Sequence, residues 1–236
     1  MEFPESIEKI EVVNKALKEL GLNPLFVGGA TLPFYLPELY WPKVRATDDV
    51  DVVVELITRK NLYDFEESLR EAGFRNDTRE EAPVCRWLYN GISVDIMSPD
   101  EKVMGFSNKW YREGLKESIL LQKPFPEARV LSLPYFIASK LEAFEGRGKK
   151  DYQASHDLED IISILETYSD SPLFHDFKGL NKDLAKYIES RLNLLMQESD
   201  FIDTLPGATF NRVDPEKGVE TIKKSVEIVQ TELAKY

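Results

Sequence analysis

Asp49 and Asp51 stand one residue apart in Asp49-Val50-Asp51, directly before Val52-Val53-Val54. Side chains at i and i+2 of a strand leave the same face. The spacing therefore predicts two carboxylates pointing together while Val50 enters a core. Adjacent carboxylates repel each other unless a cation lies between them. A divalent ion with oxygen ligands is the simplest such cation. Upstream, Gly28-Gly29 follows the apolar run Leu25-Phe26-Val27. Paired glycines supply a bend with N–H groups and no side chains, and a short helix is predicted to open just after them. That combination suits phosphates. A glycine cradle beside a metal-holding Asp-x-Asp points to phosphoryl or nucleotidyl transfer from a nucleoside triphosphate.

Asp95 is the next acid of interest, in Val94-Asp95-Ile96-Met97. On a strand there, Ser93, Asp95 and Met97 share one face and Val94 and Ile96 the other. A third acid near the first two completes the metal set or serves as general base. Asp48 points away from Asp49 and reads as a loop acid. Lys140 lies mid-helix among apolar residues; such a lysine either snorkels to water or reaches a triphosphate. Arg147, Lys149 and Lys150 make a basic loop suited to phosphates or an RNA backbone, with Asp151, Asp157 and Asp160 placed to orient it. Phe106, Trp110 and Tyr111 read as core, with base stacking the alternative. His156 and His175 are too far apart in sequence to suggest a histidine metal site.

Elements must position these residues. Ser6 to Leu20 predicts a helix capped by Ser6, with Ile7, Ile10, Val13, Ala16, Leu17 and Leu20 inward, ended by Gly21. Leu25–Val27 predicts a buried strand, Ala30–Leu36 a short helix, residues 39–44 an aromatic loop, and Val50–Leu56 a central strand. Thr58 caps a helix to Glu71. Val84–Tyr89 and Ile92–Met97 form a hairpin around Asn90-Gly91. Residues 117–121 and 128–131 read as edge strands, or 108–120 as a helix. From Pro134 on, the pattern is helical: Pro134–Phe144, ended by Gly146; Ser155 to about Tyr168; Asn181–Gln197; and Glu216–Leu233. The expected fold class is α+β, with a mixed-sheet core over residues 1–132. A helical C-terminal half over residues 133–236 then packs on that core and completes the cleft.

The 236 residues can bury a substantial core. A net charge of −12 argues against broad nucleic-acid binding, while leaving room for an RNA held by a local basic patch. The single Cys85 excludes an intramolecular disulfide and a cysteine zinc site; it reads as a buried small hydrophobe. No signal-peptide core or membrane-length apolar run is present, so a soluble cytoplasmic protein is expected.

Gly28-Gly29, Asp49-Val50-Asp51-Val52 and Asp95 together resemble the signature of the DNA polymerase beta-like nucleotidyltransferase superfamily. More narrowly, the chain is similar to AbiEii/AbiGii-toxin-like nucleotidyltransferases. The similarity lies in Arg45-x-Thr47-x-Asp49-x-Asp51, the segments VDIM, GFSNKWY and PYFIASKLEAF, and the run from Gly146 to Asp160. The resemblance implies an enzyme moving a nucleoside monophosphate from an NTP to an acceptor with Mg²⁺ or Mn²⁺. Asp49, Asp51 and Asp95 would hold the metal. Gly28, Gly29, Thr31, Thr47, Lys140 and Arg147 would hold the nucleotide, with Lys140 also counted as catalytic. Some relatives modify tRNA and act as toxins paired with an antitoxin. The alternatives are an aminoglycoside-like small-molecule acceptor, drawn by an acidic cleft, and a non-catalytic nucleotide-binding module.

Overall fold

The computed structural model describes residues 3–55, 59–147, 151–168, 177 and 180–236, apart from the side chains of residues 59–61 and 147. The chain forms two compact units. One comprises Met1–Thr31 with Arg45–Ser132, the other Leu32–Val44 with Leu133–Tyr236. Segment 32–44, which the sequence places with the first half, belongs to the second.

The first unit is built on a mixed sheet. Its strands are β1 (Leu25–Val27), β2 (Asp49–Val53), β3 (Arg75–Asn76), β4 (Arg86–Tyr89), β5 (Ile92–Met97), β6 (Ile119–Leu120) and β7 (Arg129–Val130), in spatial order β3-β4-β5-β2-β1-β7-β6. β2 runs parallel to β5 and antiparallel to β1. Its Val50, Val52 and Val53 are fully buried, which explains why a strand carrying two acids still sits at the sheet's centre. Helix α1 (Glu5–Glu19) buries Ile7, Ile10, Val13, Ala16 and Leu17. Its N-cap is Pro4, not Ser6, which lies in the first turn. α2 (Arg59–Glu71) follows; the predicted cap Thr58 lies outside the described residues.

The β4–β5 hairpin turns at Asn90 (φ 48°) and Gly91 (φ 80°). Two consecutive positive φ values are what a two-residue type I′ turn requires. Short helices α3 (Glu101–Met104) and α4 (Tyr111–Lys116) precede β6. The chain thus uses both readings offered for this region, a helix and then strands, although β7 lies inside the sheet and only β6 is at its edge.

The second unit is helical. α5 (Leu133–Arg147), α6 (His156–Glu166), α7 (Lys182–Gln197), α8 (Ser199–Ala208) and α9 (Pro215–Leu233) pack so that α6 touches α5 and α9, while α7 touches α5, α8 and α9. Ser155 caps α6, its hydroxyl accepting from the Leu158 N–H. Gly146 does not end α5, which continues to Arg147. α8 was not anticipated; its Pro206 and Gly207 read as helix breakers. Segment 32–44 contributes two 3₁₀ turns, within Gly29–Tyr35 and at Glu38–Lys43, the latter in place of the expected loop. It anchors through a Tyr35–Phe136 ring contact with centroids 4.5 Å apart. The Trp41 Nε1–H also donates to the Pro33 carbonyl at 2.9 Å.

Candidate functional site

The candidate site of the first unit lies on one face of β2 and β5. In register, Asp49 stands beside Ser93, Asp51 beside Asp95, and Val53 beside Met97. Neighbouring residues in register project from the same face, so Asp49, Asp51 and Asp95 share it, as the alternation predicts. Val50 and Val52 take the other face. Asp95 is buried at 7% exposure, and Asp49 and Asp51 are half-buried.

Gly28 closes over this face. Its φ is +72°, and a Cβ there would lie 2.0 Å from Asp51 Oδ2. Only glycine combines that backbone with so close an approach. The Gly28–Gly29 bend is therefore fitted to the Asp51 carboxylate. The helix after it is a seven-residue 3₁₀ turn. Thr31 does not offer its hydroxyl to a ligand: it is fully buried and donates to the Gly28 carbonyl at 2.8 Å. It braces the bend. The Thr47 carbonyl accepts from Lys9 Nζ at 3.3 Å.

Arg86, on β4, was not singled out in the sequence. Its Nε donates to Asp95 Oδ1 at 2.7 Å, and its Nη2 to Asp95 Oδ2 at 2.8 Å and Asp49 Oδ2 at 2.5 Å. The planar fork thus bridges two of the three acids, and they hold the guanidinium charged still more firmly than usual. A signal for it existed. A two-residue hairpin at Asn90-Gly91 pairs Tyr89 with Ile92, and counting outward sets Arg86 opposite Asp95. Buried nearby, the Cys85 thiol is pushed up to about 12, by desolvation first and Asp95 second.

The oxygen donors are of the kind Mg²⁺ or Mn²⁺ takes, but their arrangement does not fit the ion. Arg86 engages both oxygens of Asp95 and one of Asp49. Among the described residues no group of three acidic, His or Cys side chains is set to hold a metal.

Lys140 belongs to the second unit, in α5, and is 6% exposed. It is ion-paired with Asp160 at 2.6 Å and Asp157 at 3.1 Å, residues the sequence assigned to orienting the basic loop. Desolvation works to lower its pKa, but Asp160 and then Asp157 outweigh that and hold it above its ordinary value. Lys140 therefore does not snorkel to water; these two carboxylates hold it charged. The Arg147 side chain and residues Lys149 and Lys150 lie outside the described residues.

A separate groove of the second unit is lined by Tyr40, Lys43, Phe210, Arg212, Lys217 and Thr221. Tyr40 and Phe210 stack with centroids 5.4 Å apart, and Lys43 lies 5.4 Å over the Tyr40 ring. Lys43 and Arg212 donate to the backbone carbonyls of Phe210 and Gly207. Buried Glu166, at the groove's base, accepts from the Thr209 hydroxyl and the Phe210 and Asn211 N–H groups.

No protein-family model matches the chain, and no curated protein matches it. Solved structures do. The chain is similar to an antigenic nucleotidyltransferase-like protein from Paracoccidioides brasiliensis, at 16% identity over 92% of this chain and 93% of that one, TM-score 0.50. It also matches JHP933 from Helicobacter pylori, at 16% identity over 99% and 96%, TM-score 0.49. A third match is the antibiotic-resistance factor ANT(2'')-Ia, at 14% identity over 81% and 91%, TM-score 0.45. The first likeness, taken with the mixed sheet and the helical half, shows an α+β fold of the nucleotidyltransferase-like kind.

Proposed function

We propose that this chain is a nucleotidyltransferase, moving a nucleoside monophosphate from an NTP to an acceptor hydroxyl and releasing pyrophosphate. The observation that carries the reading is Gly28. Its strained-for-others backbone sits directly on Asp51, in register with Asp95, on a fold of this kind. A bare backbone bend beside a carboxylate face is where a triphosphate tail and its reacting phosphorus can lie together. Such transfer asks mainly for positioning and charge neutralisation. Asp49, Asp51 and Asp95 face the reacting phosphate, and the Gly28–Gly29 backbone faces the tail. With both its oxygens on Arg86, Asp95 does not serve as proton acceptor in this arrangement. Mg²⁺ or Mn²⁺ is the ion proposed for the site, once Arg86 has released its acids.

For the acceptor we favour RNA, with tRNA as in AbiEii-like toxins and a cognate antitoxin as the finest form of the proposal. The groove supports it. Lys43, Arg212 and Lys217 make no ion pair with a carboxylate among the described residues, and they border a stacked aromatic pair. Cations beside a stacked pair of rings suit phosphates and bases. Incubation with each labelled NTP, Mg²⁺ and total RNA or lysate tests both levels. Label in RNA, lost in Asp51→Asn and reduced in Lys43→Glu/Arg212→Glu, is expected. Label in a small cationic molecule would move the acceptor to the aminoglycoside-like class. No label in any acceptor, with NTP still bound, would leave a nucleotide-binding module.

A further inference from the structure

The site as built already contains a cation. We infer that Arg86 and a divalent metal ion are competitors for Asp49 and Asp95, so that Arg86 must swing out of the carboxylate face before the metal is held. This rests on the proposed reading only in taking that face as the site; it concerns the metal alone and not transfer.

Three observations support it. First, the positions overlap. Arg86 Nη2 lies 2.5 Å from Asp49 Oδ2 and 2.8 Å from Asp95 Oδ2, and Nε lies 2.7 Å from Asp95 Oδ1. An ion bridging those two acids would need its ligands at about 2.0–2.2 Å, and the guanidinium nitrogen stands between them. Second, the charges substitute for each other. Arg86 sets one positive charge against the same Asp49 and Asp95 oxygens that a divalent ion would take. Third, the arginine has somewhere to go. It lines a depression of about 400 Å³ with Arg79, Glu80, Glu81 and Ala82, where the two exposed glutamates would receive a displaced guanidinium. A long unbranched side chain reaches both places by rotation about its own bonds.

A merely orienting arginine and a competing one predict opposite signs. If Arg86 only braces Asp95, removing it weakens metal binding. If it competes, removing it strengthens binding. Mn²⁺ alone, with no nucleotide, is titrated into the full chain and its free signal followed by electron paramagnetic resonance. Arg86→Met should bind Mn²⁺ at least about tenfold more tightly than the unaltered protein, the order expected for removing one competing charge in a partly buried site. Adding Asp51→Asn to Arg86→Met should cancel most of that gain. Arg86→Lys keeps a charge but loses the fork and should fall between. It also serves if Arg86→Met does not fold, because any tightening in Arg86→Lys supports competition. Equal or weaker Mn²⁺ binding in the folded variants would overturn the inference. Tighter binding with no nucleotidyl transfer would uphold it while overturning the proposed function. Transfer with unchanged Mn²⁺ binding would do the reverse.

Discussion

A methyl group at Gly28 would meet Asp51 Oδ2 at 2.0 Å, whereas one at Gly91 would meet nothing within 4 Å, although both residues have positive φ. The pair separates strain from contact. Each alanine substitution should cost about 1–2 kcal/mol for the left-handed backbone. Gly28→Ala should in addition push Asp51 aside and abolish NTP binding, which Gly91→Ala should spare. Urea unfolding and nucleotide titration on both variants check this. Cys85 offers a second test at the same scale. With its pKa raised to about 12 by burial and by Asp95, the folded protein carries almost no thiolate at pH 8, and Ellman's reagent should react promptly only after unfolding. The linkage sign follows. A raised folded pKa means this group's contribution to stability is whole below the unfolded value of about 8.5 and is lost as pH rises toward 12. Prompt labelling of folded protein at pH 8 would contradict the burial.

Between elements, Lys140 of α5 and Asp160 of α6 form the pair whose removal should be felt most. Asp160 is fully buried, so Lys140→Ala leaves a charge without its partner. About 3–5 kcal/mol of destabilisation is expected, measurable by urea unfolding, with recovery when Asp160→Asn is added. The spacing of residues along α5 says nothing about which side chains of α6 face Lys140, so this pairing is not legible in the sequence. The hairpin was the opposite case: alternation in Ile92–Met97 and the Asn90-Gly91 turn are local signals, so strand, face and register were all legible. Asp49, Asp51 and Asp95 were legible for that reason. Arg86 was within reach of the same register count and was passed over because a lone arginine in a strand has no spacing of its own. A buried hydroxyl that braces its own turn, as Thr31 does, and one that meets a phosphate have the same sequence. The pair also fixes a pH expectation. Lys140 is held above its ordinary pKa, so its contribution is complete below about 10.4 and fades as pH rises through the folded value. Unfolding free energy should therefore show no loss from this pair between pH 6 and 9.

At the scale of the whole molecule, cutting the chain at the sheet–helix boundary in sequence does not cut it between its compact units. Residues 32–44 carry Leu32, Phe34, Tyr35, Leu36 and Trp41, all buried, and they belong with Leu133–Tyr236. A fragment of residues 1–132 should therefore expose that apolar segment and aggregate, while co-expression with residues 133–236 should return it to the soluble fraction; a soluble, monomeric 1–132 fragment would contradict the assignment. No described helix is long and apolar enough to cross a membrane. During synthesis the same threading sets an order of events. Residues 32–44 leave the ribosome early, but their partners in α5 begin only at Leu133. At about 5–20 residues per second the segment waits roughly 5–20 s for them. The nascent chain thus spends that interval with Tyr35 and Trp41 exposed, and a chaperone that holds short aromatic stretches has its natural foothold there.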